Sequence, residues 1–514
     1  MASTRMRPQV SLLLAAADDA TLLRTVASLR NSQGDRWQLV VAPGPTPLGP
    51  EVRATVDRAL GRRVAWAAPG APDASAALRA AFDAATGEYV GILGPGDEVE
   101  PGVLPALIDY LVARPTVDVL YTDEQWPGPG AEGVVTKPGW VPHYLEGWDF
   151  LGRLCLIRRS TVADAGGIRS DHPDAFEWDL HLRVTERTEA IEHVPAIGVT
   201  RPAAPSTDAT ANEAGRRAVE ARYRRRGVDA DVEIASPEGF IRVWRAIPEP
   251  APMVSIVVPT GGGTRLVRGD RIDLLERCLT SLVERTTYPS WELILVPSAG
   301  TPPAAIATAA RIVGDRLVVA PVEGDFSFSY SVNEGVRHAH GELVLLLNDD
   351  TEVIEPRWLE RMVGVAQDPT VGAVGAKLYF DDLTIQHVGV IHDDSWSPHH
   401  AHRTEDDGIG HFGSKLVDMD YPAVTGACLL TRTELYVTVG GFSPLLPLAY
   451  NDVDFCHKIT TTGLTVVSTP FARLYHYESS SRAPDVRDFE RAYHEEHLLP
   501  FAMQDPYVNY RSVR

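Results

Sequence analysis

Leu343-Val344-Leu345-Leu346-Leu347-Asn348-Asp349-Asp350-Thr351-Glu352 sets an apolar run of strand length directly against an acidic cluster. An uninterrupted run of this kind reads as a strand buried on both faces, as in the parallel sheets of α/β proteins. Ligands in such sheets bind beyond the carboxyl ends of the strands, which is where the acidic residues fall. Carboxylates there suit a hard divalent cation, and the cation in turn suits a diphosphate. A solvated strand-to-helix turn uses the same residue types, so this stretch alone does not decide between them.

Working outward, the chain repeats itself. Val10-Ser11-Leu12-Leu13-Leu14 parallels Val254-Ser255-Ile256-Val257-Val258, and Trp37-Gln38-Leu39-Val40-Val41 parallels Trp291-Glu292-Leu293-Ile294-Leu295. Gly87-Glu88-Tyr89-Val90-Gly91-Ile92-Leu93 parallels Gly341 to Leu347. The Trp pair and the Gly pair are both 254 residues apart, whereas Ser11 and Ser255 are 244 apart. The second copy therefore holds about ten extra residues, assigned to a Gly-rich loop over Gly261 to Asp270. A period this long implies a duplicated domain, since solenoid repeats are much shorter. Helical spacing in Leu274-Leu275-Cys278-Leu279-Leu282-Val283 and in Trp358-Leu359-Met362-Val363 alternates with the strands, giving α/β domains with mostly parallel sheets. The expected division is 1–202, a connector over 203–252, a second domain over 253–482 and a helical tail over 483–514. The connector's Arg216, Arg217, Arg222 and Arg224 to Arg226 read as a solvated helix face, and Pro248 to Pro252 as a stiff link.

A formal charge of −21 argues against nucleic acid as a partner. It leaves room for a small anion held through a metal. Cys155, Cys278, Cys428 and Cys456 form no C-x-x-C pair, which fits a reducing compartment. No apolar run approaches the ~20 residues of a membrane span. Val10 to Ala17, although preceded by Arg5 and Arg7, ends at Asp18-Asp19 and reads as a strand instead of a leader. The expected location is cytoplasmic, with peripheral contact at the inner face of the membrane.

Three further stretches follow the acidic turn: Val424 to Leu430, then Gly440-Gly441-Phe442 leading to Tyr450-Asn451-Asp452-Val453-Asp454-Phe455, then Leu474-Tyr475-His476-Tyr477-Glu478-Ser479. Their order and spacing from Val254 to Asn509, ending in Asp505-Pro506-Tyr507-Val508-Asn509, resemble the inverting family 2 glycosyltransferases of GT-A fold. The nearest resemblance is to the tandem-domain bacterial branch that builds O-antigen-like and cell-wall polysaccharides. The resemblance implies two tandem GT-A domains, a nucleotide-sugar donor, and a glycan or lipid-linked glycan acceptor. It places Asp350 and His476 as ligands of Mn²⁺ or Mg²⁺, with imidazole beside carboxylate favouring Mn²⁺. It makes Asp452 the base that takes the acceptor hydroxyl's proton, with Asn451 and Asp454 in support. Thr260, Asn333, Asn348, Asp349, Gly426 and Ala427 fall at donor-binding positions, with Phe326 and Phe328 as structural support near Asn333. Taken singly, Asp452 and Asp454 also suit the first turn of any helix, and His476 a packed histidine. His392, His399, His400, His402 and His411 read as a mobile polar loop near the acceptor in preference to a zinc site.

Two departures stand out. Pro297 occupies the strand end where relatives carry a base-contacting Asp, and it offers neither a carboxylate nor an N–H. In the N-terminal copy, Gly94-Pro95-Gly96 falls opposite Asn348-Asp349-Asp350 at constant offset, although a one-residue gap brings Asp97 opposite Asp350. Glu177 keeps acidity at the base position, and no His lies near Ile197 to Arg201. This copy reads as degenerate and inactive. The rival reading, a non-catalytic scaffold in a polysaccharide-assembly complex, is disfavoured by the survival of Asp350, Asp452 and His476 together.

Overall fold

The duplication recurs strand for strand. The computed structural model describes residues 9–507 except 33, 128–132, 170, 268, 407, 411–412 and 478–485. His411, Glu478, Ser479, Val508 and Asn509 thus lie outside the described residues. The first half contributes β1 (Val10–Ala16), β2 (Trp37–Pro43), β3 (Val64–Trp66), β4 (Tyr89–Leu93), β5 (Glu98–Val99), β6 (Val119–Gln125), β7 (Leu156–Arg158) and β8 (Ile191–Thr200). The second contributes β9 (Val254–Thr260), β10 (Trp291–Pro297), β11 (Leu317–Val319), β12 (Leu343–Leu347), β13 (Thr351–Val353), β14 (Val371–Tyr379), β15 (Cys428–Arg432) and β16 (Thr465–His476). The sheet orders are β3-β2-β1-β4-β7-β6-β8-β5 and β11-β10-β9-β12-β15-β14-β16-β13. In each sheet the first four strands are parallel, the fifth is antiparallel to both its neighbours, and the last, short strand is antiparallel too. This is the α/β architecture expected.

The shared motifs have shared physical causes. Val10 pairs with Trp37 and Tyr89, and Val254 with Trp291 and Leu343. Ser11 Oγ accepts from the Gly87 amide (2.9 Å), and Ser255 Oγ from the Gly341 amide (2.8 Å). A Cβ on Gly87 would lie 2.7 Å from the Gln9 carbonyl, and one on Gly341 2.5 Å from that of Met253. Backbone cannot give way at such distances, so both copies keep glycine.

Two expectations are corrected here. The extra residues of the second copy form a hairpin, Thr264–Val267 with Asp270–Asp273, instead of a loop. Of the connector arginines, Arg217 and Arg224 lie on a solvated face as expected, paired with Glu213 and Glu220 of their own helix, but Arg222 and Arg226 do not. On the helix Ala209–Arg226, Arg222 and Arg226 meet Glu146 Oε1 at 3.1 and 3.5 Å, Arg226 reaches Asp368 of the second half at 2.8 Å, and Arg225 meets Glu186 at 2.9 Å. Arg245, on the hairpin of Ala230–Ile234 with Ile241–Arg245, adds a 2.8 Å bond to Glu146. Arg222, Arg226 and Arg245 are turned inward because acidic partners wait on both halves. Around them, Tyr144, Phe150 and Tyr223 share one apolar core with Tyr379, Ile385, Val417, Met419, Tyr421 and Tyr507. The four cysteines are buried thiols.

Candidate active site

The acidic turn leaves β12 and enters β13, which pairs antiparallel with the end of β16 so that Thr351 faces His476. This pairing brings residues 126 positions apart together: His476 Nε2 lies 3.1 Å from Asp350 Oδ1. The imidazole is oriented by a residue that the sequence reading missed. Gln386, 1% exposed, donates through Nε2 to the His476 carbonyl (3.2 Å), which fixes its amide orientation. Its Oε1 then accepts from His476 Nδ1 at 2.6 Å. With the proton on Nδ1, the Nε2 lone pair points toward Asp350 and the Asn348 amide (3.1 Å). A histidine whose second nitrogen is held this way is the arrangement metal sites use. Without a cation at Nε2 a second proton can take its place; against burial, which raises the Asp350 carboxyl, the charge and hydrogen bond of that imidazolium then hold it below the usual range. One carboxylate and one imidazole fit a divalent cation that takes its remaining ligands from diphosphate and water. Among the described residues no cluster of three or more metal-ligating side chains occurs.

The neighbouring positions differ in what they do. Asp349 Oδ2 accepts from Thr260 Oγ1 at 2.5 Å, tying the turn to the end of β9. Burial pushes Asp349 up to about 7, against the bond from Thr260 and helped by the charge of Asp350. Asn348 donates its amide to the Ala427 carbonyl (3.0 Å). The adjoining Gly426 amide donates to Asp452 Oδ2 (3.0 Å). One dipeptide, Gly426-Ala427, is thus bonded to the metal-side turn and to the candidate base. A Cβ at Gly426 would meet Phe328 at 3.3 Å and Asp452 at 3.6 Å, so the glycine keeps this wall thin.

Asp452 opens the helix Asn451–Thr460, where the helix dipole favours an ionised carboxylate. The preceding Tyr450 is left-handed (φ +58°) and its ring packs on His494 at 4.7 Å. Such a backbone costs on the order of 1 kcal/mol or more and marks a position held by its surroundings. The C-terminal segment does the holding: Glu490 Oε1 accepts from the Leu448 and Ala449 amides (both 2.9 Å), and the Tyr493 hydroxyl donates to Asp454 (3.0 Å). Asp454 also meets Lys458 at 2.7 Å. Asn451 is buried, and its Nδ2 finds no hydrogen-bond partner among the described residues. Asn333 bonds to Phe442 N and O (3.0 and 2.8 Å) and to the Tyr436 hydroxyl (2.7 Å). Its carbonyl and one amide hydrogen hold the Phe442 turn. Arg265, on the inserted hairpin, donates to the Tyr477 carbonyl, and its charge helps depress Asp350. Of the histidines expected in a mobile loop, His392, His399 and His400 stand on a strand pair, Val390–His392 with Pro398–His400; His392 bonds Asp505 (3.0 Å), and His400 bonds His387 (2.8 Å).

The N-terminal copy fills its own cleft. Glu98 pairs with Thr200 as Thr351 pairs with His476, so Asp97 stands opposite Asp350, and Thr200 takes the histidine's place. Arg158 opposite Tyr89 matches Arg432 opposite Leu343, which puts Arg153 at the position of Ala427. The Arg153 guanidinium meets Asp97 at 3.7 Å and Glu177 at 2.5 Å. Glu177 is the second residue of its helix, as Asp452 is of its own. A side chain supplies the positive charge between the two acidic positions.

Residues 250–493 match the family described as "Glycosyltransferase like family 2", and this half of the chain is a glycosyltransferase domain of family 2. The chain is 34% identical over 402 residues to the O-antigen biosynthesis protein RfbC of Myxococcus xanthus, covering 76% of this chain and 31% of that protein. It is 33% identical over 413 residues to the uncharacterized protein y4gI of Sinorhizobium fredii (strain NBRC 101917 / NGR234), covering 77% and 44%. The chain therefore spans less than half the length of either relative. Among solved structures it is similar to the mannosyltransferase PcManGT from Pyrobaculum calidifontis in complex with GDP-Man and Mn²⁺ (20% identity, 51% of this chain and 69% of that chain, TM-score 0.34). It is also similar to GalNAc-T7 with UDP, GalNAc and Mn²⁺ (14% identity, 51% and 50%, TM-score 0.40). Among the described residues no helix is long and apolar enough to cross a membrane.

Proposed function

We propose that the C-terminal half transfers a sugar, with inversion, from a nucleotide-sugar donor to a surface polysaccharide or its lipid-linked precursor. The observation that supports this reading is the Gly426-Ala427 dipeptide, hydrogen-bonded both to Asp452 and to the turn that carries Asp350 beside His476. A divalent cation held by Asp350 and His476 would supply positive charge to the departing diphosphate. Gln386 and Asn348 keep the imidazole aimed at that position, and Thr260 braces the turn through Asp349. Asp452, at a helix N-terminus and hydrogen-bonded by the Gly426 amide, accepts the proton of the attacking acceptor hydroxyl. A single base with attack opposite the leaving group inverts the anomeric centre. The acceptor class is suggested by the O-antigen role in the name of one relative.

The N-terminal copy acts in this reading as an inactive support, because Arg153 takes the place a cation and diphosphate would need. A scaffold reading for the whole chain is favoured by one observation only, Pro297 at the end of β10. There Ser298 and Thr301 hydroxyls close onto the Thr260 carbonyl (3.2 and 3.0 Å), and no carboxylate is offered to a nucleotide base. The test is calorimetric titration with UDP, GDP and dTDP, in Mn²⁺ and again in EDTA. Metal-dependent binding of one nucleotide supports the enzyme and names the donor's base; binding of none sinks it in favour of the scaffold.

A further inference from the structure

Gln386 has a neighbour that serves the other side of the site. The short strand Ile385–His387 pairs with the end of β14, Leu378 opposite His387 and Tyr379 opposite Ile385, so Gln386 is the extra residue of a bulge. Bulges of this kind re-aim side chains beside functional sites. Gln386 bonds His476, while His387 Nε2 accepts from the Thr425 amide (3.2 Å). Thr425 leads directly into Gly426 and Ala427, whose amide and carbonyl bond Asp452 and the Asn348 amide. Two successive side chains therefore reach the candidate metal ligand and the segment beside the candidate base.

The hydrogen bonds fix the state of this ring, which is fully buried. A backbone amide can only donate, so Nε2 is bare and the proton of the neutral imidazole sits on Nδ1. Nδ1 donates it to His400 Nδ1 at 2.8 Å. His400 belongs to the strand pair that His392 ties to Asp505, so the ring is braced from behind. A second proton, on Nε2, would set two donors against each other. Burial, ahead of the neighbouring His400 and His476, pushes His387 well below the usual histidine value, in keeping with a neutral ring.

We propose that His387 is a positioning residue for the base: it holds Thr425, and through it the Gly426 amide, against Asp452. The consequence for turnover rests on the glycosyl-transfer reading; the holding role does not. His387→Gln places an acceptor near Nε2, whereas His387→Asn keeps a polar group near Nδ1 only, and a histidine that merely fills space would respond to both alike. For the full chain and both variants, release of nucleoside diphosphate from UDP-glucose, GDP-mannose and dTDP-glucose is measured in Mn²⁺, with hydrogen–deuterium exchange of the Thr425 and Gly426 amides. In His387→Asn, kcat is expected to fall about ten-fold or more at nearly unchanged donor KM, and both amides to exchange about ten-fold or more faster. His387→Gln should restore each to within about three-fold of the wild type. Equal effects in the two variants, a KM change at constant kcat, or a His387→Gln that does not fold would overturn the proposal. Absence of turnover in the wild type counts against the glycosyl-transfer reading alone, and the exchange comparison still decides the holding role. If only His387→Asn misfolds, the ring-nitrogen resonances of His387, located by their loss from His387→Gln, decide: a bare Nε2 supports the proposal and a protonated Nε2 overturns it.

Discussion

Gln386→Leu isolates the contribution of one buried amide to the metal-side turn. Leucine preserves the volume but removes the acceptor for His476 Nδ1–H (2.6 Å) and the donor for the His476 carbonyl (3.2 Å). With Nδ1 no longer obliged to carry the proton, the ring can adopt the tautomer whose lone pair faces away from Asp350. Loss of an outer partner of this kind typically lowers metal affinity 10–100-fold, or about 1.4–2.8 kcal/mol. The stranded polar groups should also lower folding stability by roughly 1–3 kcal/mol. Gln386→Glu keeps an acceptor on Nδ1 and should retain tight metal binding. The assay is titration of Mn²⁺ in the presence of a nucleoside diphosphate, with urea unfolding run in parallel. Unchanged Mn²⁺ affinity in Gln386→Leu, alongside its loss in His476→Ala, would falsify the orienting role of Gln386.

Three other outcomes are expected. Asp452→Asn should abolish transfer while leaving metal-dependent nucleotide binding nearly intact, and surviving turnover would remove Asp452 from the mechanism. Arg153→Met leaves Asp97 and Glu177 without their shared cation and should cost roughly 3–5 kcal/mol in urea unfolding, with transfer changed no more than a few-fold; a large loss of turnover at intact stability would mean the N-terminal copy takes part in catalysis. Burial, opposed by Arg153, pushes Asp97 up to about 6; a carboxyl raised above its unfolded value weakens the fold where it is ionised, and this cost fades as pH falls from about 6 toward 4. Asp97→Asn should therefore stabilise by on the order of 3 kcal/mol near pH 8 and by little near pH 4, and a pH-independent effect would show that Asp97 is not the titrating group.

The sequence made the duplicated α/β architecture legible because the strands are buried on both faces and so spell themselves as apolar runs. The repeated Trp and Gly at matching offsets gave the register. The acidic turn, Asp452 and His476 were legible as a resemblance, but the bond between Asp350 and His476 depends on an antiparallel pairing that no local pattern announces. Gln386 escaped notice because its value lies in one buried contact, and an isolated Gln in a strand carries no signal. Arg222 and Arg226 misled for the opposite reason: Glu146 and Asp368, which turn them inward, lie far away in sequence. The gap that aligns Asp97 with Asp350 became decidable only through the pairing of Glu98 with Thr200.

The core shared by the two halves has a practical consequence for dissecting the chain. Residues 250–493 can be matched to a family on their own, yet cutting there would leave Tyr379, Ile385, Val417, Met419 and Tyr421 without the residues they pack against. It would also take Arg226 away from Asp368 and Arg245 away from Asp418. The smallest recognisable unit and the smallest unit able to stand in water are therefore different lengths. Under such an arrangement a copy with no chemistry of its own would still be retained, because losing it would uncover apolar surface on its sibling.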